Sequence, residues 1–221
     1  MANRRFVFFD VGNTLLFPNR ARMLAPLPTE KHPTLERWQA LERRTKQEFD
    51  QGMMVGKVDH GFWWTFHTYL LQEITAPLDG VRDALVANTR DSANWDLILA
   101  GTREALERIR RHYAIAVISN ADGKIEAVLR RCGIADCFAS ITDSGIVGRE
   151  KPHAAIFEAA LRDMKADPAE SLYVGDVYSV DYVGARNAGM DAVLFDVAGA
   201  YREQKFPRVE SLTELESWLK A

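Results

Sequence analysis

The sequence predicts an α/β protein with a doubly wound parallel sheet and an all-α segment inserted after the first strand. Short apolar runs alternate with amphipathic segments through most of the chain, which is the pattern of repeated strand–helix units. Most of these runs are continuously apolar, as expected for strands buried on both faces of a sheet. The length of 221 residues exceeds one average domain of ~150 residues and falls short of two, which suits one domain with a large insertion.

The five predicted strands are short and rich in β-branched and aromatic residues. They comprise residues 5–9, 114–118, 138–141, 171–174 and 191–195. Between the later strands, apolar residues recur at helical spacing, as in Ile125, Val128, Leu129 and Cys132. Asp122 stands just before this group and has the residue type of a helix N-cap. This alternation predicts helices packed on both faces of one parallel sheet.

Residues 17–96 break the alternation, because they contain no good candidate for a buried strand. Helical patterns cover residues 34–51 and 60–74, and a third lies near 80–90. We therefore expect an α-helical domain at 17–96, inserted into a core formed by residues 1–16 and 97–221. Core packing is the expected role of its aromatic residues, and a substrate pocket is sought first around residues 62–66. The segment holds four of the five tryptophans, namely Trp38, Trp63, Trp64 and Trp95.

Charge and composition argue against several classes of protein. The chain has 28 Lys and Arg against 31 Asp and Glu, a net charge of −3, and its basic runs are short, so no nucleic-acid partner is expected. No apolar stretch approaches the ~20 residues of a membrane span, and the N-terminus lacks a signal-peptide pattern, so we expect a cytoplasmic protein without membrane contact. Cys132 and Cys137 match neither a zinc-site spacing nor a disulfide framework. The sequence leaves open whether the protein is a monomer or a homodimer.

Polar side chains lie at or beyond the ends of four of the predicted strands. In chain order they are Asp10, Ser119, Asn120, Lys151, Asp176 and Asp181. In open parallel sheets, ligands bind just beyond the carboxyl ends of the strands. The sequence therefore predicts a site on one rim of the sheet, with carboxylates, a hydroxyl and a lysine brought together.

These residue types suit phosphoryl transfer. A carboxylate at a strand end, here Asp10, can act as a covalent nucleophile. Two carboxylates close together repel each other, and Mg²⁺ relieves this repulsion while it binds a phosphoryl group. Lys151 supplies a positive charge, and the Ser119 hydroxyl with loop N–H groups can complete a phosphate cradle. The predicted reaction is phosphoryl transfer through Asp10, with a small phosphorylated molecule as substrate.

The ordered set of residues resembles the four motifs of the haloacid dehalogenase (HAD) superfamily of hydrolases. Asp10 matches the aspartate of the first motif, Ser119 the hydroxyl of the second, and Lys151 the lysine of the third. The GDxxxxD pattern of the fourth motif is met from Gly175 to Asp181. The resemblance implies a Rossmann-like core, a mobile α-helical cap of the family's first type where the insertion lies, and Mg²⁺-dependent phosphatase action through a phospho-aspartate.

The resemblance also implies roles for individual residues. The implied metal ligands are Asp10, the carbonyl of Gly12 and Asp176, with Asp181 as a direct or water-mediated supporter. The implied catalytic residues are Asp10, Ser119 and Lys151. The implied substrate-binding residues are Asn13, Thr14, Ser119, Asn120 and Lys151.

Gly12 departs from the phosphatase form of the first motif, DxDGT, whose second aspartate acts as general acid and base. The loss of such a group typically costs ~10²–10⁴ in rate. Asn13 replaces the glycine of that motif and tolerates a left-handed backbone, so the loop can still form. Three responses are open: substrates with good leaving groups such as acyl or aryl phosphates, different chemistry, or a substitute acid from the insertion. The candidates for that acid are His32, His60 and His67.

Three alternatives to a phosphatase follow from the missing aspartate. Haloacid dehalogenases also lack it, attack carbon without a metal and resemble this chain at Ser119 and Lys151, but Asp176 looks like a metal ligand and favours phosphorus. Phosphonate cleavage would need a lysine from the insertion as a Schiff base, and both candidates, Lys46 and Lys57, are expected to be exposed to solvent. The third alternative is a degenerate member that binds Mg²⁺ and phosphate, or a partner protein, without turnover.

Overall fold

A computed structural model describes residues 4–57, 60–76 and 80–220 of the chain. Its main feature is a six-stranded sheet in the order β5-β4-β1-β6-β7-β8, in which every neighbouring pair is parallel. A separate antiparallel pair joins β2 to β3. The strands are β1 (Phe6–Phe9), β2 (Leu16–Phe17), β3 (Leu97–Ile98), β4 (Ala114–Ser119), β5 (Ser140–Asp143), β6 (Ser171–Gly175), β7 (Asp191–Phe195) and β8 (Arg208–Val209).

Helices cover both faces of the sheet and also form a group of their own between β2 and β3. None of the described helices is long and apolar enough to cross a membrane. A wide π-type turn, Tyr178–Tyr182, follows β6 and leads directly into α9. The helices are α1 (Arg20–Met23), α2 (Leu35–Met54), α3 (Phe62–Glu73), α4 (Val81–Arg90), α5 (Thr102–Ile109), α6 (Ile125–Arg131), α7 (Ser144–Val147), α8 (Ala154–Met164), α9 (Val183–Asn187) and α10 (Leu212–Lys220).

The central strand β1 shows why its residues form a strand buried on both sides. Val7 and Phe9 pack into one hydrophobic cluster with α5, α6 and α10. Phe6 and Phe8 point to the opposite face and pack into a second cluster with α8 and α9. Because successive side chains of a strand alternate between faces, a strand between two helical layers must be apolar throughout. The predicted doubly wound α/β fold is confirmed.

The helices between β2 and β3, which we call the helical insertion, have a hydrophobic core of their own. Trp38 and Leu41 of α2 pack there with Phe66 and Leu70 of α3 and Leu85 of α4. The β2–β3 pair lies where the chain leaves the sheet domain and returns to it. The exact domain boundaries at residues 16/17 and 96/97 stay a prediction.

Two local predictions were wrong. The third strand runs from Ser140 to Asp143 rather than over 138–141. Asp122 does not cap α6, whose N-cap is Lys124 without a side-chain hydrogen bond. The carboxylate of Asp143 instead accepts hydrogen bonds from the backbone N–H groups of Gly123 and Ile125, at 3.0 and 3.1 Å. It thereby satisfies the Ile125 N–H, which is the first of the four N–H groups that have no partner within the helix.

Candidate active site

The loops at the carboxyl ends of β1, β4 and β6 bring the predicted polar residues together. Asp10 and Asp176 each directly follow a strand of the parallel sheet, and Ser119 ends β4. Lys151 arrives from the loop between α7 and α8. Asp181 lies on the π-type turn after β6. All five side chains are buried, so the rim of the sheet carries an enclosed cluster of charges.

The ammonium of Lys151 lies at the centre of this cluster. Its Nζ donates hydrogen bonds to Asp10 Oδ1 at 2.6 Å, to Asp181 Oδ1 at 2.8 Å and to the Tyr173 hydroxyl at 2.7 Å. Burial alone lowers the pKa of Lys151, but the facing carboxylates outweigh burial and hold the pKa above its ordinary value. Lys151 is therefore a fixed positive charge beside Asp10. Sequence reasoning missed Tyr173, because within β6 it reads as an ordinary core aromatic residue.

The carboxylates of Asp10, Asp176 and Asp181 crowd one another. One oxygen from each of the three lies within 4.8 Å of the others. The pKa of Asp10 is raised to about 6. Burial is the main cause of this rise, the charge of Lys151 opposes it, and the charge of Asp181 adds to it. The pKa of Asp176 is raised to about 7, again mainly by burial. The charge of Lys46 opposes this rise, and the charges of Asp181 and Asp10 add to it. Such a cluster of mutually repelling carboxylates attracts a cation.

Asp181 is held by the backbone of its own motif. Its Oδ2 accepts hydrogen bonds from the N–H groups of Asp176 at 3.1 Å and Val177 at 2.9 Å. Its Oδ1 is already engaged by Lys151 and Tyr173. A Cβ at Gly175 would lie 2.5 Å from Asp181 Cγ, so only glycine permits this approach. Asp181 therefore orients both Lys151 and the loop that carries Asp176.

Lys46 of α2 also belongs to the charged cluster, which the sequence did not predict. We expected it to be exposed, and this was wrong: its side chain is 1% exposed. Its Nζ lies 2.8 Å from Asp176 Oδ2 and 2.8 Å from Glu42 Oε1. Burial alone lowers the pKa of Lys46, but these two carboxylates outweigh burial and raise it above its ordinary value. Lys57, the other lysine considered in the insertion, is exposed as expected.

One face of α2 explains how Lys46 reaches the sheet domain. Glu42, Lys46 and Asp50 are buried and four residues apart, so they share a helix face. Asp50 accepts hydrogen bonds from the Ser179 N–H at 2.8 Å and from the Tyr201 hydroxyl at 2.7 Å. In the sequence, charged residues at this spacing indicate a helix face exposed to solvent. The structure shows instead that this face of α2 packs on the sheet domain.

The first-motif loop adopts the geometry expected for it. Asn13 has a φ of 53°, in the left-handed region that its side chain tolerates. Its Nδ2 donates a 3.3 Å hydrogen bond to Asp176 Oδ2. The buried Thr14 Oγ1 has no hydrogen-bond partner among the described residues. Thr14 does not line the described cavity beside the charged cluster, and its contact with substrate stays a prediction.

Asn120 supports Lys151 directly. Its Oδ1 accepts a 2.7 Å hydrogen bond from the Lys151 N–H, and its Nδ2 donates a 3.1 Å bond to the Lys151 carbonyl. Both ends of the amide are thus used within the protein. The geometry favours a positioning role for Asn120 over the predicted contact with substrate.

The three histidines considered as substitute acids lie in different surroundings. His32 Nε2 contacts the carbonyls of Leu24 and Leu27 at 3.0 and 3.1 Å, inside the helical insertion. His67 is buried, its Nε2 lies 2.8 Å from Thr89 Oγ1, and burial lowers its pKa to about 3. His60 lines a cavity beside the charged cluster, where its ring stacks on Trp64.

A cavity of about 650 Å³ lies between the charged cluster and the helical insertion. The cluster forms one end of it, through residues that include Asp10, Ser119, Lys151 and Asp176. The opposite wall belongs to the insertion and is mainly apolar, with His60, Thr89, Arg90 and Ser92 as its polar members. Its apolar members include Phe49, Met53, Phe62, Trp63, Trp64 and Trp95.

Comparison with known proteins agrees with this architecture. Residues 5–189 match the haloacid dehalogenase-like hydrolase family. Haloacid dehalogenase-like hydrolase domain-containing protein 3 of Homo sapiens is 31% identical over 218 residues, covering 88% of this chain and 84% of that protein. The protein of the same name from Xenopus laevis is 34% identical over 142 residues, and the alignment spans 60% of this chain but only 56% of that relative.

Two further comparisons concern a phosphatase and a solved structure. Glyceraldehyde 3-phosphate phosphatase of Pyrococcus abyssi is 28% identical over 204 residues, covering 86% of this chain and 81% of that protein. The crystal structure of the HAD-hydrolase YfnB from Bacillus subtilis, bound to magnesium, superposes with a TM-score of 0.71 at 18% identity, covering 99% of this chain and 100% of that one. The chain therefore belongs to the haloacid dehalogenase-like hydrolases.

Proposed function

We propose that this hydrolase is a Mg²⁺-dependent phosphatase that acts on a small phosphorylated metabolite through an aspartyl-phosphate on Asp10. The observation that carries the proposal is the placement of the Asp10 carboxylate, 2.6 Å from the Lys151 ammonium and within a few ångströms of Asp176. An anionic nucleophile held beside a fixed cation is suited to attack a phosphoryl group whose oxygens need the same positive charge. The similarity to a relative named as a phosphatase supports phosphorus as the target.

The balance of buried charge fits a divalent cation. Four carboxylates face two ammonium groups in the cluster, which leaves an excess of two negative charges when all are ionised. These groups are Asp10, Asp176, Asp181 and Glu42 on one side and Lys46 and Lys151 on the other. Mg²⁺ would offset the excess and polarise a phosphoryl oxygen. Asp10, Asp176 and the Gly12 carbonyl would hold the ion, with Asp181 supporting it through Lys151 and the Asp176 backbone.

Each residue of the site has a separate role in the proposed reaction. An oxygen of Asp10 attacks phosphorus, and the bond from phosphorus to the leaving oxygen breaks. Lys151, Ser119 and the Asn13–Thr14 loop hold the phosphoryl oxygens during the transfer. Water then attacks the phosphorus of the acyl phosphate, which releases phosphate and restores Asp10.

The helical insertion acts in this proposal as the cap of the active site. Its separate hydrophobic core supports the division into residues 17–96 and a sheet domain of 1–16 and 97–221. Lys46 and Asp50 tie α2 to the sheet domain through contacts at 2.8 Å. The apolar wall above the cluster would exclude water from the reacting phosphoryl group and contact the organic part of the substrate.

The Lys46–Asp176 ion pair favours a second candidate, a metal-independent dehalogenase in which Asp10 attacks carbon. An ammonium on Asp176 offsets part of the charge that a metal would otherwise neutralise. Phosphonate cleavage through Lys46 is disfavoured, because an imine-forming lysine must be neutral and the carboxylates around Lys46 raise its pKa.

A substrate panel with and without Mg²⁺ tests these candidates. The phosphatase predicts release of phosphate from acetyl phosphate or p-nitrophenyl phosphate that requires Mg²⁺ and is lost in Asp10→Asn. Halide release from a 2-haloacid that withstands a chelator would instead establish the dehalogenase. Mg²⁺ binding without turnover on the whole panel would leave only a binding role.

A further inference from the structure

Trp95 covers the position where a side chain at residue 12 would lie. A Cβ built on Gly12 would be 3.3, 3.6 and 3.6 Å from three carbons of the Trp95 ring. The ring is fixed, because its Nε1 donates a 2.8 Å hydrogen bond to the Thr89 carbonyl and it packs edge-on against Trp63 with centroids 5.4 Å apart. An aromatic surface therefore borders the nucleophile loop, and a side chain at residue 12 would require this ring to shift by a few tenths of an ångström.

A few acidic and imidazole side chains line the cavity outside the charged cluster. The described residues of this kind are His60, Asp122 and Glu150. The His60 ring stacks on Trp64 with centroids 3.8 Å apart. Asp122 accepts a 2.6 Å hydrogen bond from the Ser92 hydroxyl. No described hydrogen bond or ion pair joins any of the three to Asp10, so nothing in this arrangement assists an alcohol that leaves as a strong base.

We infer that the proposed phosphatase takes phosphate monoesters of aromatic, acidic alcohols, the phenol class. This inference rests on the phosphatase function proposed above and names its substrate class. The ring of the substrate lies against Trp95 and Trp63, within the apolar wall of the cavity. Aromatic pairs of this kind contribute about 0.5–1.5 kcal/mol beyond the burial of area.

The acidity of the leaving group replaces the missing acid. A phenol has a pKa of about 10, as in tyrosine, whereas an aliphatic alcohol is closer to water, at about 15.7. When Asp10 attacks phosphorus, the bond from phosphorus to the aryl oxygen breaks and its electron pair leaves with the phenolate. The phenolate takes a proton from solvent after departure. Water then cleaves the acyl phosphate, its protons passing to phosphate and solvent.

Four substrates separate the ring from the acidity of the leaving group. They are p-nitrophenyl phosphate with both features, benzyl phosphate with a ring only, acetyl phosphate with an acidic leaving group only, and glycerol phosphate with neither. With Mg²⁺ present, we expect p-nitrophenyl phosphate to exceed benzyl phosphate at least 100-fold in kcat/KM, which reports the step in which the leaving group departs; this factor is about the contribution of a general acid. We also expect the kcat/KM of p-nitrophenyl phosphate to exceed that of acetyl phosphate about tenfold because its KM is lower. A tenfold factor corresponds to the free energy of one aromatic contact.

Variants of Trp95 test whether this residue causes the lower KM for an aromatic substrate. Trp95→Leu raises KM for p-nitrophenyl phosphate about tenfold and leaves that for acetyl phosphate unchanged, whereas Trp218→Leu, on α10, changes neither. The double change Gly12→Asp with Trp95→Ala makes room for a carboxyl group and narrows the gap between benzyl and p-nitrophenyl phosphate. Binding is measured separately in Asp10→Asn, where quenching of tryptophan fluorescence by phenyl phosphate weakens about tenfold with Trp95→Leu. Thermal unfolding checks that each variant is folded.

The panel on the unaltered protein decides the inference without any variant. Equal kcat/KM for benzyl and p-nitrophenyl phosphate would overturn it, because a proton donor would then be present. Acetyl phosphate turned over as efficiently as p-nitrophenyl phosphate would overturn the aromatic class and leave the phosphatase proposal standing. No release of phosphate from any of the four would overturn both.

Discussion

The ammonium of Lys46, on a helix of the insertion, lies 2.8 Å from Oδ2 of Asp176, which follows a strand of the sheet. The contact joins the two parts of the chain at the charged cluster. A cation bound by Asp176 would lie beside this ammonium, so the two positive charges oppose each other. We therefore expect Lys46 to stabilise the metal-free cluster and to weaken the binding of Mg²⁺ proposed for it.

Replacing Lys46 by methionine tests this relationship. Lys46→Met leaves two buried carboxylates without their cation, so we expect the free energy of unfolding to fall by about 3 kcal/mol without Mg²⁺. Added Mg²⁺ should recover much of this loss, because the variant binds the ion more tightly. Urea unfolding with and without Mg²⁺ measures both effects. Arg44→Met, which removes an exposed cation from the same helix, is the control; an equal loss with and without Mg²⁺ would contradict the account.

Asn120 is predicted to act by holding Lys151. Asn120→Ala removes both hydrogen bonds to the Lys151 backbone, and a displacement of this size can cost up to about 100-fold in rate. The loss should appear in kcat rather than in KM. Asn120→Asp keeps the acceptor for the Lys151 N–H and should recover part of kcat. A rise in KM alone in Asn120→Ala would instead support a direct contact with substrate.

Asp143 should stabilise the loop after the second motif. Its carboxylate accepts three backbone hydrogen bonds, from Gly123 and Ile125 and from Gly145 at 2.8 Å. Asp143→Ala leaves these donors without the charged acceptor, and we expect a loss of about 3 kcal/mol in the free energy of unfolding. Asp163→Ala, on the exposed side of α8, should cost little. The hypothesis fails if the two variants unfold at the same urea concentration.

His67 should make the fold sensitive to mild acid. Burial lowers its native pKa to about 3, below the ordinary 6.5. Between these values the unfolded chain binds a proton that the native protein does not, so stability falls as the pH is lowered through this range. The contribution is about 1.4 kcal/mol per pH unit, or about 2 kcal/mol between pH 6.5 and 5.

His67→Gln removes this contribution. Urea unfolding at pH 7 and pH 5 should show a smaller loss of stability in the variant than in the unaltered protein. His112→Gln, at an exposed position, should keep the full pH dependence. Identical pH dependence in all three proteins would show that His67 is not held neutral in the fold.

Residues at strand ends could be predicted from the sequence, because the rule behind them is local. Asp10 and Asp176 directly follow strands whose apolar runs are easily recognised, and the topology of a parallel sheet places their loops on one rim. The left-handed Asn13 could be anticipated for the same reason, since its conformation depends on its own side chain.

Lys46 and Trp95 could not be predicted, because their roles arise from contacts across the chain. Charged residues spaced four apart on a helix indicate a solvated face until that face docks on the sheet domain. The Trp95 ring likewise looked like any core aromatic residue of the insertion. Only the folded structure places it 3.3 Å from the missing Cβ of Gly12.

The covalent step on Asp10 is the central claim, and a trapping experiment tests it most directly. The protein is mixed briefly with acetyl phosphate labelled on phosphorus in the presence of Mg²⁺, quenched in acid and mapped by peptide mass. We predict label on the peptide that contains Asp10, absent without Mg²⁺ and absent in Asp10→Asn. Release of phosphate with no labelled peptide, or with label on another residue, would contradict the mechanism.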